Sequence, residues 1–269
     1  MKLKAVELFL AVGIAAGMAA CGGAPETDTG VSVTSDAAEE VEGGEGGEGG
    51  EGGEGGEGGE GGEGGEGGEG GEGGEGYSAG EQANADFVDK LSGGELLSAL
   101  QEGGHVIYFR HAQTERDYAD QADPNMKLDD CETQRKLNDV GIEQSEAIGA
   151  AFTEKNIPVG DVITSDYCRA WKTADIAFGT HTKDSSLNFL PFEDYTDEQV
   201  EEMKANVTPL LTAAPAAGEN TVIVGHDDIF EAATGIYPDP QGIAYVLTPD
   251  GSGSFTLQAN MLPEEWAEL

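Results

Sequence analysis

Four side chains stand out for the chemistry they could perform. Arg110 and His111 follow directly on the apolar run Val106 to Phe109. Arg169 lies four residues after Ser165, at the close of a second apolar run, and His226 follows a third, Thr221 to Val224. A guanidinium fork suits phosphate oxygens, which it binds two at a time. A neutral imidazole is a competent nucleophile towards phosphorus. A second imidazole, with the arginines, can stabilise charge on the equatorial oxygens of a phosphoryl group in transfer. The clustering is informative because bases are scarce: from Tyr77 to Leu269 there are 11 Lys or Arg against 35 Asp or Glu.

The elements that must position these residues are readable from periodicity. Continuous apolar runs at His105–Phe109, Val159–Ser165, Leu187–Phe192 and Thr221–Val224 predict strands covered on both faces. Ile243–Leu247 and Ser254–Leu257 flank "TPDGSG", a hairpin signal. Helical spacing is found over Phe87–Gln101, Leu137–Lys155, Cys168–Phe178, Thr196–Ala213 and Ile229–Thr234. Strands alternating with helices predict a three-layer α/β/α fold with a mostly parallel sheet and an antiparallel C-terminal edge hairpin. In such sheets ligands bind beyond the carboxyl ends of the strands. Arg110, His111, Arg169 and His226 all fall there. Other chemistry-bearing residues read as structural: His105 and His181 lack a motif, Tyr108 belongs to the core, Trp171 and Trp266 to packing. Asp117, Asp120 and Asp123, in the loop after His111, read as shaping the pocket mouth or, for most of them, simply as solvated acids. Arg135 reads equally as a phosphate ligand or as one half of a salt bridge on a helix surface.

The chain before Tyr77 has a different character. Residues 1–21 have two early lysines and an apolar stretch from Leu8 to Ala20, well short of the ~20 residues a spanning helix needs. Its end, Met18-Ala19-Ala20-Cys21, resembles a bacterial lipobox. That resemblance implies cleavage before Cys21, acylation of Cys21 and attachment to a membrane. Gly22 after the cysteine points to the periplasmic face of the outer membrane or the cell surface. An unacylated secreted protein is the alternative. Residues 22–76 are dominated by Glu-Gly-Gly repeats and contain 17 acids with no Lys or Arg. With almost nothing to bury, they predict a disordered acidic tether. Residues 77–269 remain as one domain, and their excess of acids disfavours nucleic acid as a partner. In an oxidising compartment Cys131 and Cys168 form a candidate disulfide, with two buried free thiols as the alternative. Oligomeric state is unreadable.

With these residues in place, "RHAQT" at Arg110–Thr114 resembles the signature of the histidine phosphatase superfamily, the phosphoglycerate mutase-like fold, with Ala112 at a position usually glycine. "CETQRKLNDVGIEQSEAIGAAF", "SDYCRAWKTA" and "NTVIVGHDD" are similar to the family's following helix, second-arginine motif and second-histidine strand. The resemblance implies that His111 becomes phosphohistidine, that Arg110, Arg169 and His226 hold the phosphoryl oxygens, that Thr114 adds a hydroxyl contact, and that neither cofactor nor metal is needed. It implies a phosphomonoester hydrolase of the histidine acid phosphatase type acting on a small phosphorylated substrate. A phosphomutase and a catalytically idle phosphate- or partner-binding lipoprotein are the alternatives. The leaving group also needs a proton. By likeness to different branches its donor is Glu193, with Asp194 as rival, or Asp227 directly after His226.

Overall fold

The sheet forms where β-branched and apolar residues run without interruption. The computed structural model describes residues 78–115, 120, 123–191 and 194–269. The expected leader 1–21 with Cys21, the tether 22–76 and Glu193 lie outside the described residues. The described residues fall in one compact unit, Glu69–Leu269.

Strands β1 (Val106–Arg110) and β4 (Asn220–Gly225) bury every residue, as continuous apolar runs require when both sheet faces are covered. They lie side by side in parallel at the centre of a six-stranded sheet, flanked by β2 (Val159–Thr164), the two-residue edge β3 (Thr182–Lys183), β5 (Ala244–Pro249) and β6 (Phe255–Met261). The order is β3-β2-β4-β1-β5-β6. β3, β2, β4 and β1 run parallel, while β5 is antiparallel to β1 and β6 to β5.

Helices α1 (Ala79–Ala85), α2 (Gly93–Glu102), α3 (Asp139–Glu154), α4 (Cys168–Phe178), α5 (Asp197–Thr212) and α6 (Asp227–Thr234) surround the sheet. Side-chain alternation along the strands divides the core in two. Ile107, Phe109, Val222 and Val224 pack with Leu96, Leu100, Ile148, Phe152 and Trp266 on one face. Val106, Tyr108, Ile223 and Tyr245 pack with Met203, Val207, Leu211 and Phe230 on the other. The architecture is three-layered, mixed α/β and mostly parallel. Among the described residues no helix is long and apolar enough to cross a membrane.

Three boundaries differ from expectation. Of the strand expected over Leu187–Phe192, the described residues 187–191 form none: Ser185–Leu187 is a 3₁₀ turn, and the edge pairing falls earlier, at Thr182–Lys183. Leu187 and Phe189 are nonetheless buried, so their apolar run marks a covered coil. The helix expected over Phe87–Gln101 begins only at Gly93. Its first part instead lies along β6, with Lys90 and Leu91 N–H groups donating to the Gln258 carbonyl. α3 begins at Asp139, capped by the Asn138 side chain accepting from Gly141 N–H at 2.8 Å, which leaves Arg135 in the preceding loop.

Candidate active site

Register brings the key residues together. β1 and β4 pair Arg110 with Gly225, and β2 and β4 pair Thr164 with Val224. His111, His226 and Ser165 are therefore each the first residue past an aligned strand end. His111 N–H donates to the Gly225 carbonyl at 3.0 Å, and Ser165 N–H to that of Val224 at 3.3 Å. The turn at Gly225 is closed by Tyr108, whose hydroxyl donates to the His226 carbonyl at 2.7 Å and accepts from His226 N–H at 2.9 Å. A Cβ at Gly225 would stand 2.2 Å from that oxygen, so only glycine lets the phenol reach the backbone. Tyr108 thus orients the loop of His226 besides filling the core.

His111 is fully buried. Its Nδ1 lies 2.9 Å from the Ala112 carbonyl, a partner that can only accept. That assigns the hydrogen to Nδ1 and leaves the lone pair on Nε2. Nε2 accepts from Arg169 Nε at 3.2 Å and lies 3.4 Å from Arg135 Nη2. Burial, then the nearby guanidinium groups of Arg169, Arg110 and Arg135, hold the imidazole well below its ordinary pKa, so it is neutral and unprotonated at the nitrogen facing the arginines. His226 is neutral for the same reasons, with burial first and Arg169 second. Its Nε2 lies 2.7 Å from Ser165 Oγ. The two imidazole rings meet edge to face at 5.4 Å, and Tyr167 and Phe189 wall His226 at 5.0 and 4.6 Å.

The arginines are held by carboxylates. Asp120, only 1% exposed, accepts from Arg169 Nη1 at 2.9 and 3.2 Å and from Arg135 N–H at 2.9 Å. Arg169 also lies over the rings of Tyr167 and Phe189. Asp120 is thus a buried counter-ion, not the solvated loop acid expected. Arg135, 7% exposed, lies before α3 and turns into the site, its Nη2 3.4 Å from His111 Nε2. The sequence signals for it were the scarcity of bases and its place in the resembled motif.

Arg110 meets Asp227 at 2.5 Å through Nη2 and Asp239 at 2.9 Å through Nη1. Asp227 also accepts from the Tyr237 hydroxyl at 2.9 Å. Its neighbour Asp228, driven by burial and then by the Asp227 charge, is pushed up to about 7 and accepts from the Tyr195 hydroxyl at 3.2 Å. Thr114 is buried beside the site. Its N–H and hydroxyl donate to Gln241 Oε1 at 2.9 and 3.2 Å.

Cys131 and Cys168 are joined in a disulfide with Cα atoms 5.7 Å apart. His105 contacts Thr248 Oγ1 at 3.0 Å, at the opposite end of β1 from His111, and His181 contacts Asp175 at 2.6 Å.

Residues 106–206 match the profile of the histidine phosphatase superfamily, branch 1. No curated protein matches the chain. Among solved structures it is similar to the protein histidine phosphatase SixA complexed with tungstate, at 15% identity and a TM-score of 0.44, over 60% of this chain and 98% of that one. It is also similar to a mycobacterial glucosyl-3-phosphoglycerate phosphatase complexed with VO3, at 15% identity and a TM-score of 0.42, over 58% and 97%. The matching profile runs from β1 into α5, so the stretch that carries Arg110, His111, Arg135 and Arg169 is similar to the histidine phosphatase superfamily, branch 1.

Proposed function

We propose that this chain is a phosphomonoester hydrolase that works through a phosphohistidine on His111. The observation that carries this is the His111 Nε2 lone pair, bare of hydrogen and facing the Arg169 and Arg135 guanidinium groups. A phosphoryl group entering there would place phosphorus on the nucleophile and its oxygens on cations. Nε2 forms a bond to phosphorus as the ester P–O bond breaks. Arg169, Arg135 and His226 carry the equatorial charge, with Arg110 next along the strand end and Thr114 at the pocket wall. Water then attacks phosphorus, releasing inorganic phosphate and restoring His111. The positive charge is supplied by side chains of this chain.

The leaving oxygen takes its proton from a carboxyl group, Asp227 or Glu193. Asp227 directly follows His226 and lies against Arg110, which places a carboxyl group beside the pocket. The substrate is a small phosphorylated molecule. The enzyme is exported and lipid-anchored through Cys21 to a bacterial membrane, at the periplasmic face of the outer membrane or the cell surface, with residues 22–76 as its spacer.

The test is turnover of 4-nitrophenyl phosphate by the full chain beside His111→Ala. Turnover by the wild type, absent in His111→Ala, is expected. No turnover with vanadate still bound would overturn the enzyme reading in favour of an idle phosphate-binding protein. An aryl leaving group scarcely needs the acid, so comparing alkyl with aryl esters in Asp227→Asn and Glu193→Gln identifies the donor: its variant loses alkyl turnover selectively.

A further inference from the structure

The disulfide joins two segments that meet at the nucleophile. Cys168 opens α4 and is followed by Arg169, whose Nε donates to His111 Nε2. Cys131 lies four residues before Arg135, whose Nη2 is 3.4 Å from the same nitrogen. Two polar links run parallel to the covalent one. Gln134 Oε1 accepts from Cys168 N–H at 2.8 Å, at the start of a helix that has no side-chain cap of its own. Asp120 accepts from both Arg169 and the Arg135 backbone. Apart from its ends, the segment from Met126 to Gln134 consists of short turns closed by local hydrogen bonds such as Lys127 N–H to Thr133 Oγ1. It has no strand or α-helix to fix it. Among the described residues it is joined to α4 covalently by the bridge and by the Gln134–Cys168 hydrogen bond, with Asp120 linking the following Arg135 to Arg169.

Resting on the phosphatase reading, we propose that the Cys131–Cys168 bridge is a positioning device for the phosphoryl pocket, and that cutting it lowers the affinity for phosphoryl groups by releasing Arg135 from its place beside Arg169. Cys131 and Cys168 are positioning residues: they touch no reacting atom and act through the two arginines. Cutting means reduction by a dithiol. The S–S bond takes two electrons and two protons to give two thiols, and the dithiol closes to its cyclic disulfide. Because Arg135 meets the phosphoryl group in both ground and transition state, the loss falls on KM more than on kcat.

The experiment measures KM and kcat for 4-nitrophenyl phosphate, and vanadate affinity, on the full chain as isolated, after dithiothreitol, after reoxidation, and as Cys131→Ser/Cys168→Ser. Far-ultraviolet circular dichroism is recorded on each sample. We expect KM to rise and vanadate affinity to fall together, by roughly tenfold, with kcat within about twofold, unchanged dichroism, and recovery on reoxidation. A purely structural bridge would lower the melting temperature and leave KM and vanadate affinity unmoved below it, and that result overturns the inference. So does a loss of affinity that merely tracks loss of dichroism in both the reduced protein and the double variant. If the untreated protein binds vanadate and turns over ester, yet reduction changes neither constant, only this inference falls. If the untreated protein does neither, the phosphatase reading falls with it.

Discussion

Asp120→Asn isolates the electrostatic arrangement of the site. The carboxylate and Arg169 are almost fully buried, with side-chain exposures of 1% and 2%. Burial is the main influence lowering the Arg169 pKa, and Asp120 is the leading group that opposes it. Removing one partner of a buried ion pair costs about 3–5 kcal/mol, because the other charge stays in place unmatched. Asparagine keeps one oxygen for Arg135 N–H or Arg169 Nη1, so the lower end, about 3 kcal/mol, applies. For a domain of this size each kcal/mol moves the melting temperature by about 2–4 °C. The expected loss is thus about 6–12 °C. Ligand affinity moves the other way. A phosphoryl anion or vanadate offers Arg169 the oxygens that the variant lacks, and no internal carboxylate competes for them. Vanadate should bind Asp120→Asn more tightly, by on the order of tenfold, and its stabilisation of the variant should exceed that of the wild type. Calorimetry with and without vanadate reads both quantities. A melting temperature within 2 °C of wild type, together with unchanged vanadate affinity, would refute the claim that Asp120 is the resting counter-ion of this pocket.

Ser165→Ala leaves the buried His226 Nε2 without its partner at 2.7 Å and should cost about 1–3 kcal/mol in urea unfolding, with a fall in kcat; an unchanged urea midpoint would contradict the assigned contact. Gly141→Ala should destabilise by about 1–3 kcal/mol and impair turnover, since a Cβ there would stand 2.0 Å from the Gln113 carbonyl oxygen, two residues beyond His111; a wild-type melting curve would show that α3 can back away. Stability should rise with pH from about 5 to 6.5. His111 and His226 have folded pKa values well below 6.5, so in that window the unfolded chain binds two more protons. Their contribution is complete above the unfolded value and is lost on acidification. Asp228, about 7 folded against 3.8 unfolded, binds one more proton when folded, leaving a net of one and a slope of about 1.4 kcal/mol per pH unit. His105, also lowered, steepens it, and Glu231, raised by burial, flattens it. Urea midpoints that are level or fall between pH 5 and 6.5 would invert this account.

The parts of the site visible in the sequence are those delivered by strands. An apolar run that ends in Arg110-His111 or Gly225-His226 is a local pattern, and parallel register makes such ends coincide without any further information. Arg135 and Asp120 come from the irregular chain between β1 and α3, where no periodicity reports burial. The solvated reading of Asp120 failed because its burial is caused by Arg169, 49 residues away. Arg135 precedes α3 whether the helix starts at Leu137 or at Asp139, and only its tertiary contact with His111 shows which way the side chain turns. The expected strand from Leu187 fails for the converse reason. Leu187 and Phe189 do reach the core, but Phe189 is spent on the wall of His226, a role that needs burial and not strand pairing. Burial in this domain is thus decided by two different demands, filling the sheet faces and insulating the histidines. Only the first leaves a periodic trace. The second explains why both imidazoles are neutral: each is fully buried, His226 behind the aromatic wall of Tyr167 and Phe189, and the arginines oppose protonation of both. A neutral His111 beside charged arginines is the state a nucleophile towards phosphorus requires, and residues that look like misplaced core are what maintain it.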